Sequence, residues 1–417
     1  MGRGGRGAAG LRCGVDAAAA IAWLSLAAWS ALALIWWRGM RRLAVLAPAG
    51  DDDAADEPRV AVVVAARDEA STPEAAASLA RAARSWLALE GVSLEVVVVD
   101  DRSSDATPQV LRAALGDDAR VRTLRVEALP VGWIGKVHAQ AMGVAATRAP
   151  WVLLTDADVR LHPRSAAVAV RHAERHALDH LGLLPRFAAR GWALRAFVTG
   201  FALLLTVLVR PWEADDPRSP RTLGVGAFGL YRRSALAAAG GLAAVRSRPD
   251  DDLALARAVK AGGGRSAVAF GPGLAEVDWY PSLAAALRGL EKNAFGGVGF
   301  RLDLLAAAVV GLLATHVAPF AWAVLGPSAA RAPSWGVVAV VFAVYAWHGR
   351  RAGHAAWLAF AHPVAVLLLI AALLRSAAAA LLGGGVRWRG RRYPLVELRA
   401  AARADAERDR RAARARR

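Results

Sequence analysis

The chain has 417 residues, of which 56% are hydrophobic and only 21% are charged. This composition excludes disorder over most of the chain, and a mean hydropathy of +0.32 is too apolar for an ordinary water-soluble enzyme. The formal net charge of +18 comes almost entirely from arginine. Because no nucleic-acid-binding motif accompanies the charge, it favours anionic lipid headgroups as a partner, and no nucleic acid is expected.

The first predicted element is an apolar segment at residues 17–37, after a short N-terminal segment of residues 1–16. Its length is about that of a membrane-spanning helix, and Trp36 and Trp37, with arginines after them, are typical of a membrane interface. A cleaved signal peptide is the alternative, but the segment is too long for one, and aromatic and basic residues occupy the place of a cleavage site. We predict a transmembrane anchor, followed by an acidic linker over residues 38–57.

Strands and helices then alternate from residue 58 to residue 290. Four strands rich in valine or leucine are predicted at RVAVVVAARDE, SLEVVVVDD, ARVRTLRVEAL and APWVLLTDADV, with helices between them. Continuous apolar strands separated by helices are typical of a parallel sheet covered on both faces, so the sequence predicts an α/β nucleotide-binding domain. An apolar helix at residues 192–210 interrupts this pattern. Because α/β-like sequence resumes after it, we expect it to lie in the membrane interface or to pack in the domain.

Apolar sequence returns in the C-terminal third of the chain. An interfacial segment at residues 291–301 precedes two to four predicted transmembrane helices over residues 302–382. The arginine-rich tail, residues 383–417, is predicted to be cytoplasmic by the positive-inside tendency. An even number of spans would place this tail on the same side as the α/β domain. The sequence therefore predicts a multi-pass protein of the cell (inner) membrane with its catalytic domain in the cytoplasm.

Acidic residues follow the predicted strands at the edge where parallel sheets bind ligands. They are Asp68 and Glu69 after the first strand, Asp100 and Asp101 after the second, and Asp156 and Asp158 after the fourth. Residues i and i+2 of a strand point to the same side, so Asp156 and Asp158 can face one cation. Carboxylate oxygens suit Mg²⁺ or Mn²⁺, which is the expected cofactor.

Two further groups of residues are candidates for chemistry. Aspartates 250–252 open a helix, where the helix dipole stabilises them; alternatively, one of them is a general base in the same cleft. Lys136 follows a glycine at the start of a helix, an arrangement that suits phosphate. Only three lysines occur among the 53 basic residues, so Lys136 and the pair Lys292 and Asn293 are candidates for contact with a diphosphate or an acceptor.

Cysteine and histidine give no sign of a disulfide or a zinc site. Cys13 is the one cysteine in the chain, so it cannot form an internal disulfide. His172 and His176 are four residues apart on a predicted helix, but no third ligand is evident. A zinc site is therefore not expected.

Taken in order, the segments VVVAARDE, VVVVDDRSSD, LLTDADV, GAFGLYRRSAL and DDDLALARAVKAGG resemble the family 2 glycosyltransferases with a GT-A fold. GWIGKVHAQAMG, KNAFGGVGF and VRWRGRRYPL resemble the membrane-anchored branch that includes the hopanoid-associated, carotenoid-acid and ceramide glucosyltransferase-like enzymes. The resemblance implies a GT-A domain with a mostly parallel sheet, flanked by transmembrane helices.

The chain departs from the family in its triple aspartate, which stands where the family usually has a Glu-Asp pair. Which of the three aspartates would be the base is therefore left open. The chain also lacks the Gln-x-x-Arg-Trp motif of processive synthases, which counts against polymerisation.

The resemblance also implies a role for each candidate residue. Asp68, Glu69, Asp100 and Asp101 would contact the nucleotide, Lys136 and Asp156 the donor diphosphate, Asp158 and Asp156 the metal, and Asp252 with Asp251 would include the catalytic base. The implied reaction is inverting, metal-dependent transfer of a hexose from a nucleotide sugar, expected to be a UDP-sugar, to a lipid hydroxyl or carboxyl. A polyprenyl phosphate acceptor is the alternative, and a non-catalytic nucleotide-binding membrane scaffold is a second.

Overall fold

The computed structural model describes residues 5–48, 57–248, 250–278, 280, 282–290, 294–352, 355–388, 391–400, 403 and 407. The chain divides into two compact units. The α/β unit comprises Gly39–Ala188 and Val209–Asp278, and the helical unit comprises Met1–Arg38, Ala189–Leu208 and Trp279–Arg417. The predicted domain, residues 58–290, therefore differs from the α/β unit, which begins earlier and omits residues 189–208 and 279–290.

The α/β unit contains an eight-stranded and a three-stranded sheet, and a short hairpin lies in the helical unit. The strands of the described residues are β1 (Ala44–Val45), β2 (Arg59–Ala66), β3 (Ser93–Asp100), β4 (Val121–Arg125), β5 (Trp151–Asp156), β6 (Val159–Leu161), β7 (His180–Leu184), β8 (Arg186–Phe187), β9 (Gly229–Arg232), β10 (Ser266–Phe270), β11 (Ala275–Val277), β12 (Gly385–Trp388) and β13 (Arg391–Pro394). The order in the larger sheet is β1-β10-β7-β9-β5-β2-β3-β4. Only β9 runs antiparallel to its neighbours, β5 and β7, so the mostly parallel sheet that the sequence predicts is confirmed.

Helices cover the sheet of the α/β unit and form most of the helical unit. Those of the described residues are α1 (Gly5–Met40), α2 (Pro73–Leu87), α3 (Thr107–Leu115), α4 (Gly135–Ala145), α5 (Ser165–Arg175), α6 (Trp192–Val209), α7 (Arg233–Ala238), α8 (Asp251–Ala261), α9 (Leu283–Leu290), α10 (Leu302–Leu312), α11 (Ala318–Leu325), α12 (Ser328–Ala352) and α13 (His362–Leu382). α2 begins where its sequence predicts, because the Thr72 hydroxyl accepts a hydrogen bond from Ala75 N and Pro73 occupies the first turn.

The central strands form the core of the α/β unit. Val62, Val63 and Val64 of β2 have no exposed surface, and Val98 of β3 and Leu153 of β5 are equally buried. Burying each such side chain contributes about 1.5–3 kcal/mol, which explains why the strands are continuous apolar runs. The acidic residues that the sequence analysis singled out lie at or just after the carboxyl ends of these strands, and they are therefore placed at one edge of the sheet.

Five helical segments among the described residues are long and apolar enough to cross a membrane. They are Ala17–Met40, Trp192–Glu213, Leu302–Leu325, Ser328–Arg350 and Ala356–Leu382. The first contains the predicted anchor. The last three lie in the region predicted to hold two to four spans.

The helix α6 has the composition of a span but cannot cross a membrane once. β7 precedes it and β9 follows it, and these two strands are hydrogen-bonded neighbours in one sheet. A single crossing between them would place them on opposite sides of the membrane. Gly200 of α6 packs against Ala365 and Tyr345, and Thr206 accepts a hydrogen bond from Trp36 Nε1 at 2.9 Å. Of the two predicted alternatives, packing within the α/β domain is wrong, because the helix packs on helices of the helical unit. A position in the membrane interface stays a prediction.

A π-helical turn, Leu313–Val317, separates α10 from α11. Pro319 in the first turn of α11 lacks an N–H, so the carbonyl of Thr315 loses its usual helical partner. The indole of Trp29 replaces that partner by donating to Thr315 O at 2.8 Å. The helix irregularity thus follows from one proline and is compensated by a side chain of α1.

Candidate active site

Three neighbouring strands end in acidic residues at one edge of the larger sheet. In the sheet register Asp100 of β3 lies beside Ala66 of β2, and Asp156 of β5 lies beside Ala65. Because β5, β2 and β3 are parallel, their carboxyl ends lie at the same edge. The structure therefore places the residues that follow these strands close to one another.

Lys136 forms ion pairs with acidic residues from two of the predicted groups, the one after β5 and the one that opens α8. It is the second residue of α4, and its Nζ lies 2.8 Å from Asp156 Oδ1 and 3.3 Å from Asp251 Oδ2. Burial alone would lower the pKa of Lys136, but the charges of Asp156, Asp251 and Asp252 outweigh burial and raise the pKa well above its ordinary value. Lys136 is therefore a permanent cation between the end of β5 and the start of α8.

Asp252 is held by backbone donors at the start of α8. Its Oδ2 accepts a hydrogen bond from Gly226 N at 2.8 Å, and its Oδ1 accepts one from Leu253 N at 2.7 Å. Removal from water, with the charge of Asp251 adding to it, raises the pKa of Asp252 to about 7. A carboxyl with such a pKa can accept and release a proton near neutrality.

Glycines allow the chain to pass close to Asp252. A Cβ at Gly226 would lie 2.8 Å from Asp156 Oδ2 and 3.2 Å from Asp252 Oδ2, and a Cβ at Gly224 would lie 1.8 Å from the carbonyl oxygen of Asp252. Gly226 O also accepts a hydrogen bond from Asp156 N at 3.1 Å. The segment before β9 thus contacts both carboxylates, and only glycine fits at these two positions.

Asp158 belongs to a group of like charges at the end of β5. Burial, then the charges of Asp156 and Glu69, raise the pKa of Asp158 to about 7. Oxygen ligands of this kind suit Mg²⁺ or Mn²⁺, which often bind one or two carboxylates together with substrate phosphates. Within the described residues, no group of three or more histidine, cysteine or acidic side chains could hold a metal. The residues therefore fit a metal that a diphosphate helps to bind, and not a closed protein cage.

Asp101 presents an unused hydrogen-bond acceptor at the same edge. Its side chain is 1% exposed, and Arg102 Nη2 and Arg67 Nη1 lie 2.9 and 3.6 Å from its two oxygens. Its Oδ2 receives no hydrogen bond from the residues that the structure describes. A Cβ at Gly135 would lie 2.0 Å from this oxygen, so the glycine before Lys136 leaves it room.

Asp68 and Asp100 form hydrogen bonds within the fold. Asp68 Oδ1 accepts from the backbone N and the hydroxyl of Ser104, at 2.8 and 3.1 Å. Asp100 Oδ1 accepts from Ser103 N at 2.9 Å, and Asp100 Oδ2 is paired with Arg125. Both carboxylates hold the loop that follows β3, so they shape the site whether or not they reach a ligand.

Three aspartates were candidates for the base, and their partners differ. Asp250 pairs with Arg248 at 2.7 Å and Asp251 with Lys136, whereas Asp252 accepts only backbone hydrogen bonds. Asp252 is thus the one of the three whose carboxylate has no ion pair within the described residues. The partners of Asp252 thus differ in kind from those of Asp250 and Asp251.

Some predicted residues lie elsewhere, and some site residues were not predicted. Lys292 and Asn293 lie outside the described residues. The rings of His172 and His176 are 4.5 Å apart, centroid to centroid. Sequence reasoning gave no role to Gly224 or Gly226. The two closely spaced glycines in the segment GVGAFGLYRR were the available signal.

Comparison with known proteins shows which family and which fold the chain resembles. Residues 61–238, less than half of the chain, match the family model described as "Glycosyl transferase family 2". The α/β unit has a GT-A type fold with a mostly parallel central sheet. The GT-A fold that the sequence predicts is confirmed. The hopanoid, carotenoid and ceramide branch stays a prediction.

Two proteins illustrate the likeness. The chain is 35% identical to the succinoglycan biosynthesis protein ExoO of Rhizobium meliloti (strain 1021) over 144 residues, which are 34% of this chain and 37% of that protein. The structure of the mannosyltransferase PcManGT from Pyrobaculum calidifontis, in complex with GDP-Man and Mn²⁺, matches with a TM-score of 0.50 and 19% identity, over 88% of this chain and 99% of that one. The first match spans little more than a third of the relative, and the second shows the fold.

Proposed function

We propose that the protein is a membrane-bound inverting glycosyltransferase that moves a hexose from a nucleotide-sugar donor to a hydroxyl or carboxyl group of a lipid. The observation that carries this proposal is the position of Lys136 between Asp156 and Asp251. Sugar transfer needs charge neutralisation at the leaving diphosphate and a base at the acceptor, within reach of one anomeric carbon. Lys136 pairs both with Asp156, on the side proposed for the diphosphate, and with Asp251, beside the proposed base Asp252.

The donor is proposed to bind along the edge of the sheet. The unused oxygen of Asp101 suits an N–H or hydroxyl of the nucleoside, and Glu69 lies in the same acidic group as Asp158. Lys136 and Asp156 are assigned to the diphosphate. A UDP-sugar is the proposed donor, although the related mannosyltransferase was solved with GDP-Man.

Asp158 and Asp156 are the proposed ligands of Mg²⁺ or Mn²⁺. When bound, the metal would supply positive charge to the departing diphosphate. The structure of the related mannosyltransferase contains Mn²⁺, which supports this assignment. The pKa of Asp158, raised by burial and by neighbouring carboxylates, is the electrostatic sign that a cation is needed there.

Asp252 is the proposed base. The acceptor oxygen forms a bond to the anomeric carbon while the bond from that carbon to the diphosphate breaks, and the acceptor proton passes to Asp252. The nucleoside diphosphate leaves with the bonding electrons. One in-line displacement of this kind inverts the anomeric configuration.

A lipid acceptor is proposed because the same chain carries five helical segments apolar enough to cross a membrane. A polyprenyl phosphate is the alternative acceptor. Phosphate is already an anion, so its attack would depend much less on Asp252. A scaffold without activity would bind nucleotide but show no turnover.

The test uses membranes that contain the full chain, supplied with radiolabelled UDP-glucose, UDP-galactose, UDP-GlcNAc or GDP-mannose and Mn²⁺. We expect label in the organic phase with one donor, and its loss in Asp158→Ala and Asp252→Asn. Asp250→Asn is the matched control, because Asp250 is one residue away and pairs with Arg248. No label from any donor with native lipid extract and folded protein would contradict the proposal.

The product separates the two acceptors. A polyprenyl phosphate sugar is released by mild acid, whereas a glycoside of a lipid hydroxyl is stable. Acid-labile product together with an active Asp252→Asn variant would favour the polyprenyl phosphate acceptor. Acid-stable product that Asp252→Asn abolishes would support the hydroxyl acceptor.

The proposed location is the inner membrane with the α/β unit in the cytoplasm, where nucleotide sugars are available. Three candidate spans lie between that unit and the basic tail, an odd number. Both the α/β unit and the tail can be cytoplasmic only if an even number of the three segments cross.

Labelling of engineered and native cysteines in intact cells tests this topology. Cys13 is the one cysteine in the chain, so a membrane-impermeant maleimide reports the N-terminal side directly. Ala400→Cys in a Cys13→Ala background reports the side of the tail. If α1 crosses, labelling at both positions would mean that an odd number of the three C-terminal segments cross.

A further inference from the structure

Lys260, near the end of α8, is a buried cation that donates to backbone carbonyls. Its Nζ lies 3.1 Å from Glu213 O, 2.6 Å from Ala214 O and 2.7 Å from Arg221 O. The residue is 7% exposed. Three carbonyls from one loop therefore converge on a single ammonium group, which has three N–H donors to offer.

The loop that Lys260 holds leads directly into the candidate active site. Residues 213–226, called the 213–226 segment below, begin at the carbonyls that Lys260 binds and end at Gly226. Gly226 N donates to Asp252 Oδ2, and Gly226 O accepts from Asp156 N. The segment is thus fixed to α8 twice, at Lys260 near the end of the helix and at Asp252 near its start.

We propose that Lys260 is a positioning residue, which holds the 213–226 segment so that Gly226 contacts both Asp252 and Asp156. Without the Lys260 ammonium group, three carbonyls lose their donor and the segment loses one of its two attachments to α8. This inference rests on the proposed function, since it gives Lys260 a part in sugar transfer. It also explains why lysine occurs here in a chain that otherwise uses arginine.

Arginine is a poor substitute at this position for a geometric reason. The ammonium group is compact and directs three N–H bonds to three separate acceptors, whereas the guanidinium is a planar fork. Lys260→Arg should therefore restore only part of what Lys260→Met loses. If the position needed only a positive charge, Lys260→Arg would restore everything that Lys260→Met loses.

The first measurement is limited trypsin digestion of the full chain in detergent. Arg218 and Arg221 lie in the 213–226 segment and provide cleavage sites. We expect faster cleavage there in Lys260→Met than in the wild type, with Lys260→Arg between them. Arg257→Met is the matched control, because Arg257 is an exposed cation on the same helix. Equal cleavage rates in Lys260→Met and Arg257→Met would contradict the attachment.

The second measurement is steady-state transfer by the folded fraction of each variant. We expect kcat to fall about a hundredfold in Lys260→Met, as misplaced catalytic groups typically cause, with little change in KM for the donor. A merely structural lysine would reduce the yield of folded protein but leave kcat unchanged. Gly224→Ala displaces the same segment without touching Lys260, because its Cβ would lie 1.8 Å from Asp252 O. If Lys260→Met and Gly224→Ala both act through the 213–226 segment, the fold-loss of kcat in the double variant is much smaller than the product of the two single fold-losses.

These outcomes separate failure of this inference from failure of the proposed function. A wild type without transfer from any donor contradicts the proposed function and, with it, the catalytic part of the Lys260 assignment. An active wild type with an unchanged kcat in Lys260→Met contradicts Lys260 as a positioning residue and leaves the proposed function standing.

Discussion

Two groups of buried polar side chains, one in each unit, differ in how their members are paired. In the helical unit, His316 Nδ1 lies 3.0 Å from His362 Nε2, and Tyr345 Oη lies 3.0 Å from His362 Nδ1. The ring of Trp29 lies 4.8 Å from that of His316, edge to face. His316, His362 and Tyr345 thus each have a hydrogen-bond partner within the protein. The arrangement resembles the interhelical hydrogen bonds that hold membrane helices together.

The edge of the sheet contains unbalanced charge instead. Asp156 and Asp251 both pair with Lys136, the nearby charge of Asp252 also raises the pKa of Lys136, and Asp158 adds a further carboxyl whose pKa is raised. A protein that needed only stability would not collect like charges in one partly buried place. The comparison teaches that paired polar groups serve packing here, whereas crowded carboxyls indicate where a cation and a diphosphate are expected to bind.

The largest predicted effect comes from removing the base. Asp252→Asn keeps the size of the side chain and can still accept a hydrogen bond from Gly226, but it cannot take up a proton. We expect kcat to fall about a thousandfold, within the range typical of general-base catalysis. Radiolabel transfer to lipid by purified enzyme measures it. Donor binding should persist, and an active Asp252→Asn enzyme would remove Asp252 from the mechanism.

Removing the shared cation should have the next largest effect. Lys136→Met leaves Asp156 and Asp251 without their common partner and removes positive charge from the proposed diphosphate site. We expect a loss of kcat of about a hundredfold, comparable to the loss of one electrostatic donor in other enzymes. Kinetics at saturating Mn²⁺ measure the loss, with Lys136→Arg as the conservative variant. Undiminished kcat in Lys136→Met would mean that Lys136 only balances charge.

The pH dependence should be moderate and should have a definite sign. Because burial raises the pKa of Asp252 to about 7, the protonated and inactive form predominates below that pH. We expect kcat/KM to fall about tenfold per pH unit on the acid side of neutrality. An aspartate of ordinary pKa would keep the rate constant down to about pH 5. A flat profile between pH 5 and 7 would contradict the assignment of Asp252 as the base.

The raised pKa of Asp252 should also make stability depend on pH. Activity rises with pH, whereas the stability of the folded protein falls. The Asp252 carboxyl of the folded state holds a proton that the same group in the unfolded chain loses near its ordinary pKa of 3.8. The free energy of unfolding of the metal-free protein should therefore fall as the pH rises between about 4 and 7. Thermal unfolding at both ends of this window, in the wild type and in Asp252→Asn, measures the contribution.

Much of the fold could be predicted because local patterns determine it. The valine runs of β2, β3 and β5 read as buried strands, and Thr72 with Pro73 marks the start of α2. Parallel pairing then brings the strand-end acids together by topology alone. The antiparallel β9 could not be predicted, because its four residues, GLYR, lack the long apolar run of the other central strands.

The parts of the site that escaped prediction depend on close approach in three dimensions. Gly226 matters because Asp156 and Asp252 both lie within reach of its missing side chain, which no local pattern reveals. Asp68 and Asp100 looked equivalent to Asp101 in sequence, yet both use their oxygens within the loop after β3. Lys260 was overlooked although the scarcity of lysine had already singled out Lys136.

The smallest predicted effect lies in the helical unit and tests the other side of the comparison. Tyr345→Phe removes the hydroxyl that forms a hydrogen bond with His362 and leaves the rest of this buried ring in place. Interhelical hydrogen bonds in membranes contribute about 0.6–1.7 kcal/mol, so we expect a stability loss of about 1 kcal/mol with unchanged kcat. Denaturation in detergent and lipid-transfer kinetics on the same preparation measure the two quantities. His362→Leu should not add fully to Tyr345→Phe, because both remove the same hydrogen bond. A fall in kcat at unchanged stability would instead make this polar chain part of the function, since packing alone cannot produce that result.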